Sequence, residues 1–334
     1  MKDRGGATRS LMVLTVLFCL LAIAPSLVKS SYSLFVLCLS VINGIAVIGL
    51  NFIFGLTGQL HLGLSGFLGI GAYALALSTT RAGLDFWAAL VISIVTVSTF
   101  SLLLGIPTLR LKRYYLAIMT IGFGEITRSV LMNWSSFTGG VFGVQNIPRP
   151  SLLGFRFTSN LAYYYLLLCI AILLSAVATR IERSKYGRAF KAVRDDELAC
   201  EMVGMDSTEL KVLAFLCCGV YSAIAGSLYA SFQQYVSPEL YTLAYSFSFV
   251  SMLVVGGLGS VPGAMLGAIV LTVLMELLRF LKQWYLVVYA ATIILVIIYE
   301  PGGIIGFLNK LVERIGRRRA PSLSKEAMQH GGGV

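Results

Sequence analysis

Charged side chains are the groups in this sequence most able to bind or react, and they are concentrated in one internal stretch. Only 12% of the 334 residues are charged. The stretch from Ser184 to Phe215 nevertheless holds five Lys or Arg and six Asp or Glu residues, and apolar segments flank it on both sides. Basic residues alone would suit anionic lipid, but lipid headgroups repel acidic side chains. The mixture of charges therefore indicates a surface that binds another protein.

No pattern of catalytic or ligand-binding residues accompanies these charges. The sequence lacks a GxxxxGKS or GxxxxGKT phosphate loop, and neither HExxH nor GxSxG occurs. His61 and His330 are its only histidines, and the six cysteines follow no metal-ligand spacing. We therefore expect no enzyme activity, no metal site and no cofactor in this chain. Membrane topology explains the formal charge of +11 better than nucleic-acid binding does.

Two carboxylates within apolar windows have an arginine three residues later. They are Glu125 with Arg128 and Glu276 with Arg279. Charges inside a bilayer are costly and often mark a solute pathway. Residues three apart share one helix face, however, so each pair neutralises itself locally. Both interpretations stay open, and structural pairing is favoured.

Two glycine-dense apolar segments, one in each half of the chain, form another candidate site. The first runs from Gly55 to Ala72 and the second from Gly256 to Gly267. Glycine allows close helix packing, and it also allows a helix to break where its backbone lines a cavity. We assign either translocation path or packing to these residues: Gly58, Gln59, Gly63, Gly66, Gly257 and Gly259. The likeness of the two segments also hints at an internal repeat.

Membrane-spanning helices must position these groups, because the chain is 57% hydrophobic with a mean hydropathy of +0.84. A span needs about 20 apolar residues. Apolar windows lie at 11–28, 34–54, 60–77, 86–104, 115–131, 161–178, 212–232, 247–258, 264–281 and 285–299. The third and eighth are Gly-rich or short, so eight spans with two re-entrant segments would also fit. The predicted fold is an all-α polytopic membrane protein with about ten transmembrane helices.

The distribution of basic residues orients these helices. With ten spans and a cytoplasmic N-terminus, most of the 26 Lys and Arg residues fall in cytoplasmic segments. We therefore predict an even number of spans, both termini cytoplasmic and an uncleaved first span. Residues 1–308 form one transmembrane domain with an internal cytoplasmic loop at 180–211, here called the charged loop. Residues 309–334 form a basic, disordered cytoplasmic tail near the lipid headgroups.

Helical periodicity within the charged loop predicts one amphipathic helix from Arg188 to Val203. Gly187 would interrupt the helical pattern before it, and Gly204 would end it. Asp206 or Ser207 would then cap the helix that re-enters the membrane. We expect the apolar side of this helix to fill a groove in a partner, with Arg194, Asp195 and Glu197 as the charged rim.

Five sequence blocks occur in order along residues 43–279. They are GLTGQLHLGLSGFLGIGAY (Gly55–Tyr73), YYLAIMTIGFGEITRSVLMNWSSFTGGVFGV (Tyr114–Val144), YGRAFKAVRDDELACEMVGMDSTELKVLAF (Tyr186–Phe215), AGSLYA (Ala225–Ala230) and VVGGLGSVPGAMLGA (Val254–Ala268). In this order they resemble the LivM-type permease subunits of ABC importers for branched-chain amino acids. Five blocks in sequence are much more specific than any one of them.

The resemblance implies a subunit of a bacterial-type inner membrane that pairs with a second, related permease. Two cytoplasmic ATPase subunits would hydrolyse ATP, and a periplasmic or surface-tethered binding protein would deliver the solute. The charged loop would be the ATPase-coupling element, through these residues: Tyr186, Gly187, Arg188, Arg194, Asp195, Glu197, Glu201 and Gly204.

Other functions fit parts of the same sequence. Permeases for urea or short-chain amides share these blocks, so urea or a short-chain amide is an alternative solute. A secondary transporter driven by an ion gradient would be expected to carry an acid or relay near mid-depth, whereas the clear acids within spans have an arginine partner. A scaffold without transport is disfavoured by the glycine-dense segments.

Overall fold

The described part of the chain is almost entirely helical. The computed structural model describes residues 3–27, 30–108, 113–152, 155–300, 302–307 and 310. The α-helices are α1 (Asp3–Leu27), α2 (Ser31–Leu50), α3 (Leu64–Thr80), α4 (Phe86–Thr108), α5 (Arg113–Asn133), α6 (Ser135–Thr138), α7 (Asn160–Arg183), α8 (Lys185–Asp195), α9 (Glu197–Met202), α10 (Ser207–Gln233), α11 (Leu243–Gly256), α12 (Val261–Leu278) and α13 (Tyr285–Tyr299). A π-helical turn, Asn51–Leu56, continues α2.

Short irregular elements connect these helices. Turns of 3₁₀ helix occur at Gly140–Phe142, Pro238–Leu240 and Arg279–Trp284. Strand β1 (Val144–Gln145) pairs antiparallel with β4 (Tyr235–Val236), and β2 (Ser151–Leu152) pairs antiparallel with β3 (Phe155–Arg156). These two-residue ladders only tie loops together.

Several helices match the length and composition of membrane spans. Within the described residues, five are long and apolar enough to cross a bilayer: Ser31–Leu56, Phe86–Ile106, Asn160–Arg183, Ser207–Gln233 and Val261–Leu278. Shorter apolar helices lie at Met12–Ser26, Leu64–Thr80, Leu243–Gly256 and Val287–Val296. The prediction of an all-α polytopic membrane protein is confirmed. Predictions for the tail apart from Lys310, and for the basic connection at Arg110 and Lys112, lie outside the described residues.

Helix α10 lies at the centre of the bundle. It packs against α2, α3 and α4, while α2 also contacts α7, α11 and α12. Helices α3 and α10 approach closely because Gly226 lies against the backbone carbonyl of Leu68 and Gly71 lies against Ala223. A side chain at either glycine would push the two helices apart, so dense packing here depends on small residues.

The connections between helices gather at two ends of the bundle. Residues 57–63, the charged loop and residues 257–260 meet at one end, here called the loop end, where Arg194 bonds Gly55 and Gly259 bonds Asn51. At the opposite end, called the sheet end, β1 pairs with β4 and the Trp87 indole donates to the Ser151 carbonyl. The charged loop and both glycine interruptions therefore lie on the same side of the bundle.

Candidate functional site

Helix α8 anchors the charged loop to the bundle. Phe190 and Val193 on one side of α8 are buried, and Ser184 caps the helix by accepting hydrogen bonds from the backbone N–H groups of Tyr186 and Gly187. Gly187 therefore lies in the first turn of α8, and the prediction that it interrupts the helix is wrong. Its role is steric, because a Cβ at Gly187 would collide with the backbone carbonyl of Glu182 at the end of α7.

The predicted single helix from Arg188 to Val203 is two helices. The break is at Asp196, whose backbone is extended (φ −154°, ψ 105°) and whose carboxylate caps α9 by accepting from Ala199 N at 3.0 Å. The side chain of Asp is short enough to accept hydrogen bonds from nearby backbone N–H groups. It can therefore cap the N-terminus of a new helix, which interrupts the preceding one. The helical period continues through the break, so periodicity alone does not reveal it.

Helix α9 presents an apolar surface away from the bundle. Leu198, Met202 and Val203 are 70%, 83% and 75% exposed, and we call these three residues the α9 patch. Gly204, with φ of +82°, ends the helix, and Asp206 caps α10 by accepting from Glu209 N at 3.1 Å. The apolar residues of the loop thus divide into a buried side on α8 and an exposed patch on α9.

Two acids of the predicted coupling surface, Glu197 and Glu201, also bind the start of α10 while remaining partly exposed. The carboxylate of Glu197 contacts the ammonium of Lys211, which is only 6% exposed. Ser207 donates to Glu201 Oε1 at 2.5 Å and to Glu197 Oε1 at 3.3 Å. A buried ammonium needs an opposite charge, so these contacts hold α9 against α10. Asp195 and Arg188 remain exposed.

Arg194 turns inward from the predicted charged rim. Its Nη1 donates to the backbone carbonyl of Gly55 at 3.0 Å, and its Nε lies 3.4 Å from Asp195 Oδ1. The charged loop therefore reaches the first glycine-dense segment through one side chain.

The two glycine-dense segments meet at the loop end. The side-chain oxygen of Asn51 accepts a hydrogen bond from the N–H of Gly259 at 2.9 Å. Gly58 and Gly257 have φ of +69° and +119°, values that L side chains rarely adopt, so the chain turns at both points. We call residues 51–58 and 257–260 together the glycine junction. The first interruption follows a helical run of 26 residues, longer than the roughly 20 residues that a membrane span needs.

Gly63 and Gly66 lie at a close contact between two helices. Gly63 lies against the backbone carbonyl of Thr120, and Gly66 lies against the Cα of Gly124, so α3 and α5 approach closely. Gln59 is buried, and its Oε1 has no hydrogen-bond partner among the described atoms. His61 is also buried and stacked on Phe67, and neither of its ring nitrogens has a hydrogen-bond partner among the described residues.

Both arginine–glutamate pairs form at the spacing that the sequence indicates. Arg128 Nη1 lies 3.5 Å from Glu125 Oε2, and Arg279 Nη1 lies 2.9 Å from Glu276 Oε1. Arg279 is the residue after α12 and is largely exposed. The pairs are separate from the glycine junction and from the charged loop.

A buried polar cluster was missed by sequence reasoning. Asn43 Nδ2 donates to Thr272 at 3.1 Å and Tyr245 donates to Asn43 at 3.3 Å. Ser65 and Ser246 are joined at 2.7 Å. The residues lie in apolar runs, and their partners are about 180 to 230 positions away. No local pattern signals such a cluster.

These features define a polytopic helical membrane protein with a charged loop docked on paired glycine turns. The chain belongs to the family described as the permease component of branched-chain amino acid transport systems, whose family model matches residues 32–297. The resemblance drawn from the sequence blocks is thus confirmed.

Curated relatives carry the same description. The chain is 35% identical over 323 residues to the high-affinity branched-chain amino acid transport system permease protein LivM of Escherichia coli K12, an alignment that covers 90% of this chain and 76% of the relative. It is 29% identical over 212 residues to the corresponding LivH protein of Salmonella typhimurium, covering 60% of this chain and 66% of that protein. No solved structure gives a significant match.

Proposed function

We propose that this chain is the membrane-spanning permease subunit of an ABC importer that translocates branched-chain amino acids. The observation that carries the proposal is the 35% identity to a LivM permease over 90% of the chain. The physical features agree with it, because the chain joins apolar spans to a rigidly anchored charged loop. The family is a transport component and not an enzyme family.

In this proposal two separate ATPase subunits dock on the charged loop and supply the energy. The α9 patch gives them an apolar contact area, and Asp195 and Arg188 add exposed charges on the same loop. Apolar contacts at the centre and charges at the rim are the usual arrangement of a docking surface. The buried side of α8 keeps the loop attached to the spans, so a movement of the ATPases is passed to the membrane domain.

A second, related permease completes the membrane part in this proposal. The 29% identity to LivH, a permease that carries the same transport description, supports pairing between two related chains. A solute-binding protein would dock at the sheet end. A cleft of about 680 Å³ lies there, lined by charged and polar residues that include Asp85, Arg149 and Asn160.

The same proposal sets the orientation. The loop end faces the cytoplasm and the sheet end faces outward, with about ten spans and both termini inside. The bias of Lys and Arg towards loop-end connections supports this arrangement. The membrane is the inner membrane of a bacterial-type cell.

The docking surface is tested by charging the α9 patch. We expect Met202→Glu to abolish copurification of the ATPase subunits with the permease, since a buried carboxylate would be left unpaired. Phe142→Glu is the matched control, because Phe142 is 82% exposed and Met202 83%, and Phe142 lies at the sheet end. Normal copurification of the ATPases with the Met202 variant would refute docking on α9.

The solute is tested by uptake in cells that express all subunits. We expect labelled leucine to accumulate, with competition by isoleucine and valine and none by urea or acetamide. Competition by urea or acetamide, without competition by isoleucine, would identify an amide permease.

A further inference from the structure

Arg194 reaches across from the charged loop to a helix end in another part of the fold. Its guanidinium bonds the carbonyl of Gly55, which lies 139 positions earlier, in the π-helical turn that ends the α2 run. Carbonyls at a helix C-terminus lack partners within the helix, and a cation is favourable there. The hydrogen bond therefore gives the Gly55 carbonyl a donor and the Arg194 guanidinium an acceptor with favourable partial charge.

Several other side chains of the loop bond to the flanking helices. Arg188 donates to the carbonyl of Arg183, and Lys191 donates to Glu182, both on α7. Glu197 binds residues of α10. Arg194, by contrast, donates to a residue in the turn after α2, beyond these two helices.

The same side chain is packed against both halves of the glycine junction. A Cβ built on Gly58 would lie 2.6 Å from Cγ of Arg194, so only glycine leaves room for the arginine stem. A Cβ on Gly259 would lie 3.4 Å from Arg194 Nη1 and 3.3 Å from the carbonyl of Gly55. Gly259 also donates a hydrogen bond to Asn51. The guanidinium of Arg194 therefore lies where the two parts of the glycine junction meet.

We propose that Arg194 is a positioning residue that links the movement of the charged loop to the two glycine turns. Displacement of α8 would withdraw the guanidinium from Gly55 and free the turns after α2 and α11 to move. Charge-assisted hydrogen bonds are directional and strong, so one such contact is enough to couple two rigid elements. The inference rests on the proposed docking of ATPases on the loop, and it adds the route by which their movement reaches the spans.

The partial exposure of Arg194 predicts that its loss uncouples transport without unfolding the permease. Its side chain is 37% exposed, and water can solvate the freed carbonyl of Gly55 more readily than it could in the core. A merely structural arginine would instead change expression and stability.

The first experiment uses the complete importer reconstituted in proteoliposomes, which enclose a lumen for uptake, with Arg194→Ala and Arg194→Gln. We expect the ATPases to copurify normally, while solute-stimulated ATP hydrolysis and uptake fall at least about fivefold, the lower end of typical coupling between sites. The control is Lys191→Ala, which removes a basic residue one turn earlier on α8 whose described bond is to Glu182. We expect it to stay within about twofold of the parent protein.

The second experiment displaces Arg194 without changing it. Gly58→Ala inserts a methyl group against its stem, whereas Gly83→Ala introduces the same backbone strain (φ of +69° and +64°) where nothing lies within 4 Å. We expect Gly58→Ala to reproduce the loss caused by Arg194→Ala and Gly83→Ala to retain uptake. The double variant of Gly58 and Arg194 should be no worse than either single variant, because both act on one contact.

Hydrogen exchange separates this inference from the proposed function. We expect amides in residues 55–60 and 257–260 to exchange faster in the Arg194→Ala complex, whatever binds to the loop. If these amides exchange faster in the Arg194→Ala complex but uptake is unchanged, the contact between Arg194 and Gly55 is only structural and the inference is overturned. Unchanged exchange would overturn it as well, as would equal losses in the Gly58 and Gly83 variants. Failure of ATPase docking would appear separately, in the copurification of the Met202 variant.

Discussion

Asn51 and Gly259 are 208 positions apart in the sequence, yet the side-chain oxygen of Asn51 accepts the backbone N–H of Gly259 at 2.9 Å. Asn51 is buried, and it lies at the start of the π-helical turn after α2, while Gly259 precedes α12. The side-chain amide of Asn51 therefore joins the two parts of the glycine junction, which come from different halves of the chain.

Replacement of Asn51 by Leu leaves the N–H of Gly259 without its partner. We expect a loss of about 1–3 kcal/mol in stability, the usual cost of a buried unsatisfied donor, and a lower thermal midpoint in detergent. The control is Asn133→Leu, since Asn133 is exposed and its described side-chain hydrogen bond goes to the local carbonyl of Ser129. Equal midpoints for the two variants would show that the Asn51 bond contributes little.

Glu197 and Lys211 differ in burial, which predicts an asymmetric response to mutation. Lys211 is buried and Glu197 is half-exposed. Glu197→Ala strands a buried ammonium, whereas Lys211→Met leaves a carboxylate that water can solvate. We expect Glu197→Ala to destabilise the attachment of α9 to α10 more than Lys211→Met does, measured as faster proteolysis of residues 196–206. The double variant should recover part of the loss, and equal proteolysis of both single variants would contradict the asymmetry.

Gly63 should not tolerate a large side chain. It lies against the carbonyl of Thr120, so Gly63→Leu must separate α3 from α5. We expect uptake to be lost, with reduced thermal stability typical of overpacking, about 1–3 kcal/mol. Gly122→Leu on α5 is the matched control, because nothing lies within 4 Å of a Cβ there. Loss of uptake in both variants alike would remove the packing explanation.

The proposed orientation is tested by cysteine labelling on a background without the six native cysteines. We expect Ser136→Cys, at the sheet end, to react with an impermeant maleimide in intact cells. Glu209→Cys at the loop end and Ser324→Cys in the tail should react only after permeabilisation. Labelling of the cysteine at 324 from outside would place the C-terminus on the other face.

Apolar runs and helix signals account for the part of the fold that the sequence predicts. Each apolar window corresponds to a helix. Gly204 ends α9 because glycine adopts a positive φ readily, and Asp206 begins α10 because its carboxylate caps a helix N-terminus. These features depend on residues within one or two turns of each other. The sequence blocks also place the chain in its family, because they are read in order along the chain.

Tertiary packing decided the parts that local patterns predicted wrongly or missed. The expected helix at Arg188–Val203 divides at Asp196, where a local cap starts α9, and the contacts of Glu197 and Glu201 with α10 place that second helix. In the sequence, nothing distinguishes Arg194 from the other charged residues of the loop. In the structure its side chain turns inward, because the helical run of α2 ends beside it and offers the carbonyl of Gly55.

By itself the sequence determined the apolar helices, the charged loop between them and the membership of a transport family, since periodicity and composition act over short distances. Tertiary structure decided that the two glycine-dense segments meet, that Arg194 lies between them and that Asn43, Tyr245 and Thr272 share hydrogen bonds. The physical reason is that such contacts join residues more than a hundred positions apart. They form only where whole helix faces pack together, and no local propensity encodes that placement.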